Sequence, residues 1–379
     1  MNHRILFVTE TLFPLGAAQQ LKILAESLVE LGHDVNVAVL GERSPESTNW
    51  IQAGIGVFYL NGDDTTPLHT LRDGLYVVQQ LRKLIRQTTP EIVHTWCGQA
   101  ELLTLLATMK MPILEPLHRF RLLSTELFLQ PEKQFLRMTI ENQLDERVEQ
   151  MIVPHLSVKQ HLIENGYREQ RISIVPNAIP PKKLERDQAR RNLLQKLNLP
   201  EGTYLAGAVA PLAHRTRLKD LIWATDMLSC IRNDFHFLII GKGTQLNQLK
   251  RFAALTAWKD HVHFLGHPES PEQIVVGLDF YWHSHLQDPL SGNLLAAMGS
   301  GVPSISVYGP GTEEIIRHQE TGFAVNFGAR DEFARWTKFI IEQQEPAKKL
   351  ARQGQEFARK QFPKSRMIDG YLAIYNSEN

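Results

Sequence analysis

Cysteine is nearly absent from this chain: of 379 residues, only Cys97 and Cys230 carry a thiol. That excludes a disulfide framework and a cysteine-rich zinc site, and it suits a reducing, cytoplasmic setting. Net charge is missing too. Lys and Arg number 41 and Asp and Glu number 41, so no global field draws in nucleic acid or an anionic membrane. No run of about 18 apolar residues occurs, so nothing reads as a bilayer span. The first apolar run, Ile5-Leu6-Phe7-Val8, is too short for a signal-peptide core and passes straight into Thr9-Glu10-Thr11. Internal repeats and low-complexity tracts are lacking. So are GxxxxGK[ST], HExxH, GxSxG and Asp-x-Asp, which removes P-loop, zincin and nucleophile-elbow chemistry and the usual metal–diphosphate clamp. Gly241-Lys242-Gly243 and Gly309-Pro310-Gly311 each lack the third glycine of a dinucleotide fingerprint.

What is present is an ordinary globular balance, 43% hydrophobic and 22% charged, at a length that suits two domains. Arg4 to Thr9 reads as a buried parallel strand. A turn with Pro14 and Gly16 follows. Leu21, Leu24, Leu28 and Leu31 then recur at helical spacing, closed by Gly32 in the place of a C′ glycine. Strands are expected at 35–40, 57–60, 91–95 and 151–153, with a helix near 70–88. The segment Ile174 to Pro181 holds three prolines and marks a domain boundary. Beyond it the same alternation returns: strands at 204–209, 235–240, 261–265, 279–282, 304–307 and 323–325, and helices near 217–230, 245–257 and 292–299. The fold class is therefore α/β, two Rossmann-like doubly wound domains. Residues 1–178 form the first, 179–360 the second, and 361–379 an amphipathic C-terminal helix expected to pack back on the first. Ligands in such sheets bind at the carboxyl ends of the strands, so the two binding edges are expected to face each other across a cleft.

The stretch Trp282 to Pro303 carries the most chemistry. A strand ends near Trp282, a polar turn follows, and a helix begins near Ser291-Gly292. Ser291 can cap that helix and Gly292 lets a ligand approach its backbone. The free N–H groups there, at a strand's carboxyl end, favour an anion. A purely structural cap with packing glycines is the alternative. His283 and His285 could be read as a metal pair, but no third ligand is evident, so no metal is expected. Asp63-Asp64 beside an Asn-Gly turn reads as loop chemistry.

The order and spacing of these motifs identify a family. Pro14-Leu15-Gly16-Ala17-Ala18-Gln19 resembles the Gly-Gly-Ala-Glu loop of the retaining GT-B glycosyltransferases that include sucrose synthases and phosphatidylinositol mannosyltransferases. Leu31 to Val35 is similar to its Gly-His-Glu-Val, Ile92-Val93-His94 to its Ile-Val-His, and Val175-Pro176-Asn177-Ala178 to its Val-Pro-Asn-Gly linker. Gly241 to Thr244, Phe264-Leu265-Gly266, Ala297-Met298 with Gly301-Val302-Pro303, Gly311 to Ile315 and Glu320-Thr321-Gly322 complete the series.

The resemblance, which runs over nearly the whole chain, implies a GT-B fold and a hexosyltransferase. It would move a hexose from a UDP- or GDP-linked nucleotide-diphosphate sugar to a glycan or lipid-linked acceptor. Configuration would be retained, without a metal or other cofactor. It implies His118, Asp288 and Arg217 as catalytic residues. Gly16, Ala17, Arg215, Lys242, Ser291, Gly292, Asn293 and Leu294 would bind the donor.

Four departures stand out. Ala296 takes the place of a glutamate that holds the nucleotide ribose, and Asp288 that of the other glutamate. Pro211 stands where an arginine grips the diphosphate, and the lysine five residues on falls at Arg215 or Arg217. A catalytically degenerate protein that only binds a nucleotide, a sugar or a protein partner is therefore a second reading. Lys110, His118, Arg119, Arg121, Lys133 and Arg137, interleaved with Leu122, Leu123, Leu127, Phe128 and Phe135, suggest a peripheral contact between the N-terminal domain and the inner face of the membrane.

Overall fold

A computed structural model describes residues 2–13, 16–61, 71–109, 117–127, 147–180, 185–268, 271–286 and 291–377. It divides into two compact units, Met1–Pro176 with Lys364–Asn379, and Asn177–Pro363.

The first unit is built on a seven-stranded parallel sheet. Its elements are β1 (Arg4–Thr9), α1 (Ala17–Glu30), β2 (Asp34–Val39), α2 (Ser47–Gln52), β3 (Gly56–Tyr59) and α3 (Leu71–Thr88). They continue as β4 (Ile92–Trp96), α4 (Gly98–Thr108), β5 (Arg121–Thr125), β6 (Gln150–Val153), α5 (Leu156–Glu164) and β7 (Ile172–Ile174). Ile5, Leu6, Phe7 and Val8 are fully buried, as continuous β-branched and aromatic runs must be when helices cover both faces. The strand order β3-β2-β1-β4-β5-β6-β7 reverses between β1 and β4.

The C-terminal helix Lys364–Tyr375 returns to this unit. Its anchor is His94 on β4, fully buried, with Nδ1 2.7 Å from the Tyr375 hydroxyl and Nε2 2.8 Å from Thr125 Oγ1. Phe7, Trp96 and Tyr371 pack around the same imidazole.

Of the basic and apolar stripe, His118 and Arg119 are exposed, while the described leucines are not. Leu122 and Leu123 are buried in β5, and Leu127 is buried just after it. The Arg121 guanidinium is spent on Glu149, with Nε 2.8 and 2.9 Å from the two carboxylate oxygens. Strand pairing therefore claims the leucines. Lys110, Phe128, Lys133, Phe135 and Arg137 lie outside the described residues. So does Asp63-Asp64. Among the described residues no helix is long and apolar enough to cross a membrane.

The second unit carries a six-stranded parallel sheet. Here follow α6 (Arg186–Leu197), β8 (Tyr204–Val209), α7 (Leu218–Ser229), β9 (Phe235–Ile240), α8 (Leu246–Ala254), β10 (Val262–Gly266) and α9 (Pro271–Val276). Next come β11 (Phe280–His283), α10 (Gly292–Gly299), β12 (Ser304–Val307), β13 (Phe323–Val325), α11 (Arg330–Glu342) and α12 (Gln344–Gln361). The order β10-β9-β8-β11-β12-β13 reverses between β8 and β11. Trp282 centres the core between Phe235, Phe237 and Phe333, its indole N–H donating to Thr337 Oγ1 at 3.1 Å.

Both units are thus doubly wound. Right-handed crossovers leaving in opposite directions from the reversal open a crevice there at the carboxyl ends.

Candidate active site

In the second unit three loops converge beyond the β8/β11 reversal. The loops after β8 and β9 are laced together by main chain. Ala210 N–H donates to Ile240 O at 3.0 Å, Leu212 N–H to Lys242 O at 2.9 Å, and Gln245 N–H to Leu212 O at 3.0 Å. This lacing explains the Gly-Lys-Gly spacing. Gly241 sits at φ +143°, and a Cβ there would lie 2.0 Å from Ala210 O; one on Gly243 would lie 2.4 Å from Leu212 O. Gly241→Ala should therefore cost about 1–3 kcal/mol, read as a lowered denaturation midpoint with unchanged m. The glycines hold the loops together and leave the Lys242 side chain exposed at their rim.

The β8 loop continues as a 3₁₀ turn, His214–Thr216, with Arg215 exposed and Thr216 buried. Ser284, just past β11, donates from Oγ to Thr216 O at 2.5 Å, tying this turn to the β11 loop. His283 and His285 are both buried, with ring centroids 4.6 Å apart. Burial first, then His283 and the Arg215 charge, hold His285 well below the usual imidazole range. It is neutral near pH 7, and its buried Nδ1 has no hydrogen-bond partner among the described residues. No group of three or more His, Cys, Asp or Glu side chains that could hold a metal occurs among the described residues.

The third loop enters α10. Ser291, 1% exposed, is its N-cap, yet no side chain caps the first turn. Gly292, Asn293 and Leu294 bring the main-chain N–H groups that a helix leaves without intrahelical partners. The Asn293 Oδ1, on a residue only 4% exposed, has no partner among the described residues either. No acidic residue occupies the first turn, and Ala296 is buried one turn on. The electrostatic sense of the site is positive: helix dipole, uncapped amides, Arg215 and Lys242.

The remaining expected residues fall elsewhere. Arg217 adopts the left-handed conformation (φ 54°) and starts α7. Its Nε is 2.6 Å from Asp220 Oδ2 and its guanidinium lies over Phe327, so that side chain is held on Asp220 rather than committed to the loops. Counting five residues from Pro211 reaches Thr216, a buried neutral side chain.

His118 precedes β5, its Nε2 2.7 Å from the carbonyl of Pro90, which itself precedes β4. In a parallel sheet that is the amino edge, opposite the end where Gly16 sits. Gly16 (φ +50°) caps α1 beyond the carboxyl end of β1, with open space where a Cβ would stand. The Ala17 carbonyl accepts from Trp96 Nε1 at 2.9 Å. Asp288 lies outside the described residues.

Two buried carboxylates at the carboxyl side of the first sheet escape a reading by motif. Glu101 accepts from Ser124 Oγ at 2.6 Å, and Glu126 follows β5. Their only signal is an acidic residue in an apolar context, which spacing cannot separate from a surface charge.

A family model described as Glycosyltransferase Family 4 matches residues 15–183, and one described as Glycosyl transferases group 1 matches 189–357. The chain is 24% identical over 183 residues to the lipopolysaccharide core biosynthesis glycosyltransferase LpsE of Rhizobium meliloti (strain 1021), covering 48% of this chain and 53% of LpsE. It is 26% identical over 204 residues to the 2-deoxystreptamine glucosyltransferase of Streptomyces kanamyceticus, covering 52% of each. The matched stretches thus span about half the length of these curated relatives. The fold is that of Anabaena HepE in complex with UDP and glucose, with a TM-score of 0.82, 17% identity and 100% of both chains covered.

Proposed function

We propose, for a GT-B chain that joins a family 4 glycosyltransferase domain to a group 1 domain, that it transfers a hexose from a nucleotide-diphosphate sugar. The acceptor would be a glycan or a lipid-linked sugar. The observation that carries the reading is the start of α10, which no side chain caps among the described residues, together with the buried Asn293 Oδ1 there and the buried His285 Nδ1 just past β11, neither of which has a hydrogen-bond partner among those residues. A buried polar atom left unpaired costs about 1–3 kcal/mol, so a site that keeps two of them on one crevice is built to meet a ligand.

The chemistry follows from charge. As the glycosidic bond to the diphosphate lengthens, negative charge grows on the leaving oxygens. The first-turn amides of α10 receive it, with Arg215 and Lys242 on the facing loops. These groups are already oriented before the reaction and need no reorganisation when it occurs. Gly292, lacking a Cβ, lets the phosphate reach the amides. Neutral His285 offers Nδ1 as a hydrogen-bond partner without adding charge beside Arg215. Asp288 is assigned to the sugar, Gly16 and Ala17 to the donor, and the first unit to the acceptor. Retention and independence of metal are part of the same proposal, since fixed cations and amides supply the positive charge. The two cysteines, Cys97 buried and Cys230 exposed, form no disulfide, which fits a cytoplasmic site of action.

The test is a screen of UDP-, GDP- and ADP-linked hexoses for thermal stabilisation and for slow hydrolysis. At least one is expected to raise the melting temperature and be consumed; silence toward all three sets refutes the proposal. Ala296→Glu, which returns a carboxylate to the second turn of α10, should tighten nucleotide binding about tenfold or more if the ribose hydroxyls reach it. Calorimetry of UDP binding to both forms measures the difference.

A further inference from the structure

A cavity of about 510 Å³ opens between α7 and α8 in the second unit. It shares Ala213, His214 and Gln245 with the β8 and β9 loops but is distinct from the crevice at α10. The crossover from β8 to β9 and that from β11 to β12 leave the reversal in opposite directions, so α7 and α10 cover opposite faces of the sheet. Accordingly α7 packs on α8 and α11, and α10 on α9 and α12. Neither Arg215, Lys242 nor any residue of the α10 start lines the cavity.

Its wall carries three cations and one carboxylate. Asp220, whose side chain is 8% exposed, accepts from Arg217 Nε on one oxygen at 2.6 Å and from Arg330 Nε on the other at 3.0 Å. A single buried carboxylate therefore fixes two guanidiniums side by side. Each arginine also rests on a ring, Arg217 on Phe327 at 5.0 Å and Arg330 on Trp223 at 5.6 Å. Their Nε atoms are used, but the terminal nitrogens of both forks make no hydrogen bond among the described residues. Lys219 Nζ lies 4.5 Å from the centroid of Phe252 and makes no ion pair there either. The cavity is left with a surplus of two positive charges.

The remaining wall is flat and apolar. Trp223, 38% exposed, meets Phe252 at a centroid distance of 5.8 Å, and Gln245 and Gln248 add amides.

We propose that this cavity is a second anion site, which binds a small phosphomonoester carried on a flat ring. Two held guanidinium forks and an ammonium match a dianion with three terminal oxygens, because a fork engages two oxygens at once. The indole and phenyl faces suit a planar body. The volume lies within the usual range for small-molecule sites. The left-handed backbone of Arg217 is consistent with the same function: a non-glycine residue there is strained, and the strain turns the guanidinium toward Asp220. A ligand in the cavity is also coupled to the crevice by sequence, since Arg217 closes the short turn that carries Arg215.

Isothermal titration of the full chain with phenyl phosphate, and separately with inorganic phosphate, tests the proposal. Phenyl phosphate should bind about two- to tenfold tighter than inorganic phosphate, the increment expected of an aromatic contact. Arg330→Gln should weaken both by about tenfold or more, and it leaves Asp220 paired with Arg217, so folding is retained. Trp223→Leu should abolish the preference for phenyl phosphate and leave inorganic phosphate binding unchanged. Lys242→Gln should change neither. Absence of phenyl phosphate binding to the parent chain, equal binding by Arg330→Gln, or loss in Lys242→Gln would each overturn it. A failure of the donor screen bears only on α10, since these probes carry neither nucleotide nor sugar.

Discussion

Replacing Arg215 with glutamine is expected to slow sugar release from the nucleotide-sugar donor by about 10²–10³-fold, the loss seen when one oriented donor to a developing oxyanion is removed. The effect should fall on kcat more than on KM, because the charge Arg215 meets is larger in the transition state than in the bound donor. Folding should be untouched: the side chain is exposed and takes part in no ion pair among the described residues. Arg217→Gln is the decisive companion. That arginine is held on Asp220 and Phe327, so its loss should leave turnover within a few-fold of the parent. Initial rates of donor hydrolysis with both variants separate the assignments. A defective Arg217→Gln beside an active Arg215→Gln would return the charge to Arg217 and show that the β8 loop rearranges on donor binding.

The contrast between these two arginines shows what a linear sequence can carry. Parallel strands buried on both faces announce themselves as apolar runs, and β1, β8, β9, β12 and β13 begin and end where those runs do. The start of α10 is equally legible, since Ser291-Gly292-Asn293 precedes the unbroken apolar stretch Leu294 to Met298. Side-chain direction is not. Arg215 and Arg217 are two residues apart, and only the left-handed backbone at Arg217 turns it toward Asp220 and Arg330. Nothing in the residue types signals that turn.

His118 illustrates a topological loss of the same kind. Arg121-Leu122-Leu123-Ser124-Thr125 reads as part of a basic and apolar stripe, yet it is the strand β5. Once that strand is recognised, a residue three positions before it must lie at the amino edge, away from any carboxyl-end crevice.

Acid should begin to destabilise this chain before its carboxylates are protonated. His94 is fully buried, and burial pushes its imidazole down to about 3; in the unfolded chain the same group titrates near 6.5. Above pH 6.5 both states are neutral there, and the folded state keeps the full benefit of the Tyr375 and Thr125 hydrogen bonds. As pH falls from 6.5 toward 3, the unfolded chain takes up a proton that the folded chain cannot. Stability should then drop by about 1.4 kcal/mol per pH unit from this group alone, at most about 5 kcal/mol across the window. His236, pushed down to about 4 by burial and by His261 and His263, adds to the decline in the second unit.

Urea midpoints between pH 7.5 and 4.5 measure the slope. His94→Gln should start lower at pH 7.5, by about 1–3 kcal/mol for the hydrogen bonds disturbed, and then fall less steeply between pH 6.5 and 4.5. The two curves should therefore converge as the pH drops. Parallel curves would mean that His94 is not the proton acceptor on unfolding. The imidazole would then be a spectator, with the C-terminal helix held by the packing of Tyr371 and Tyr375 and by the Arg121 guanidinium, which donates to the Ile374 and Tyr375 carbonyls.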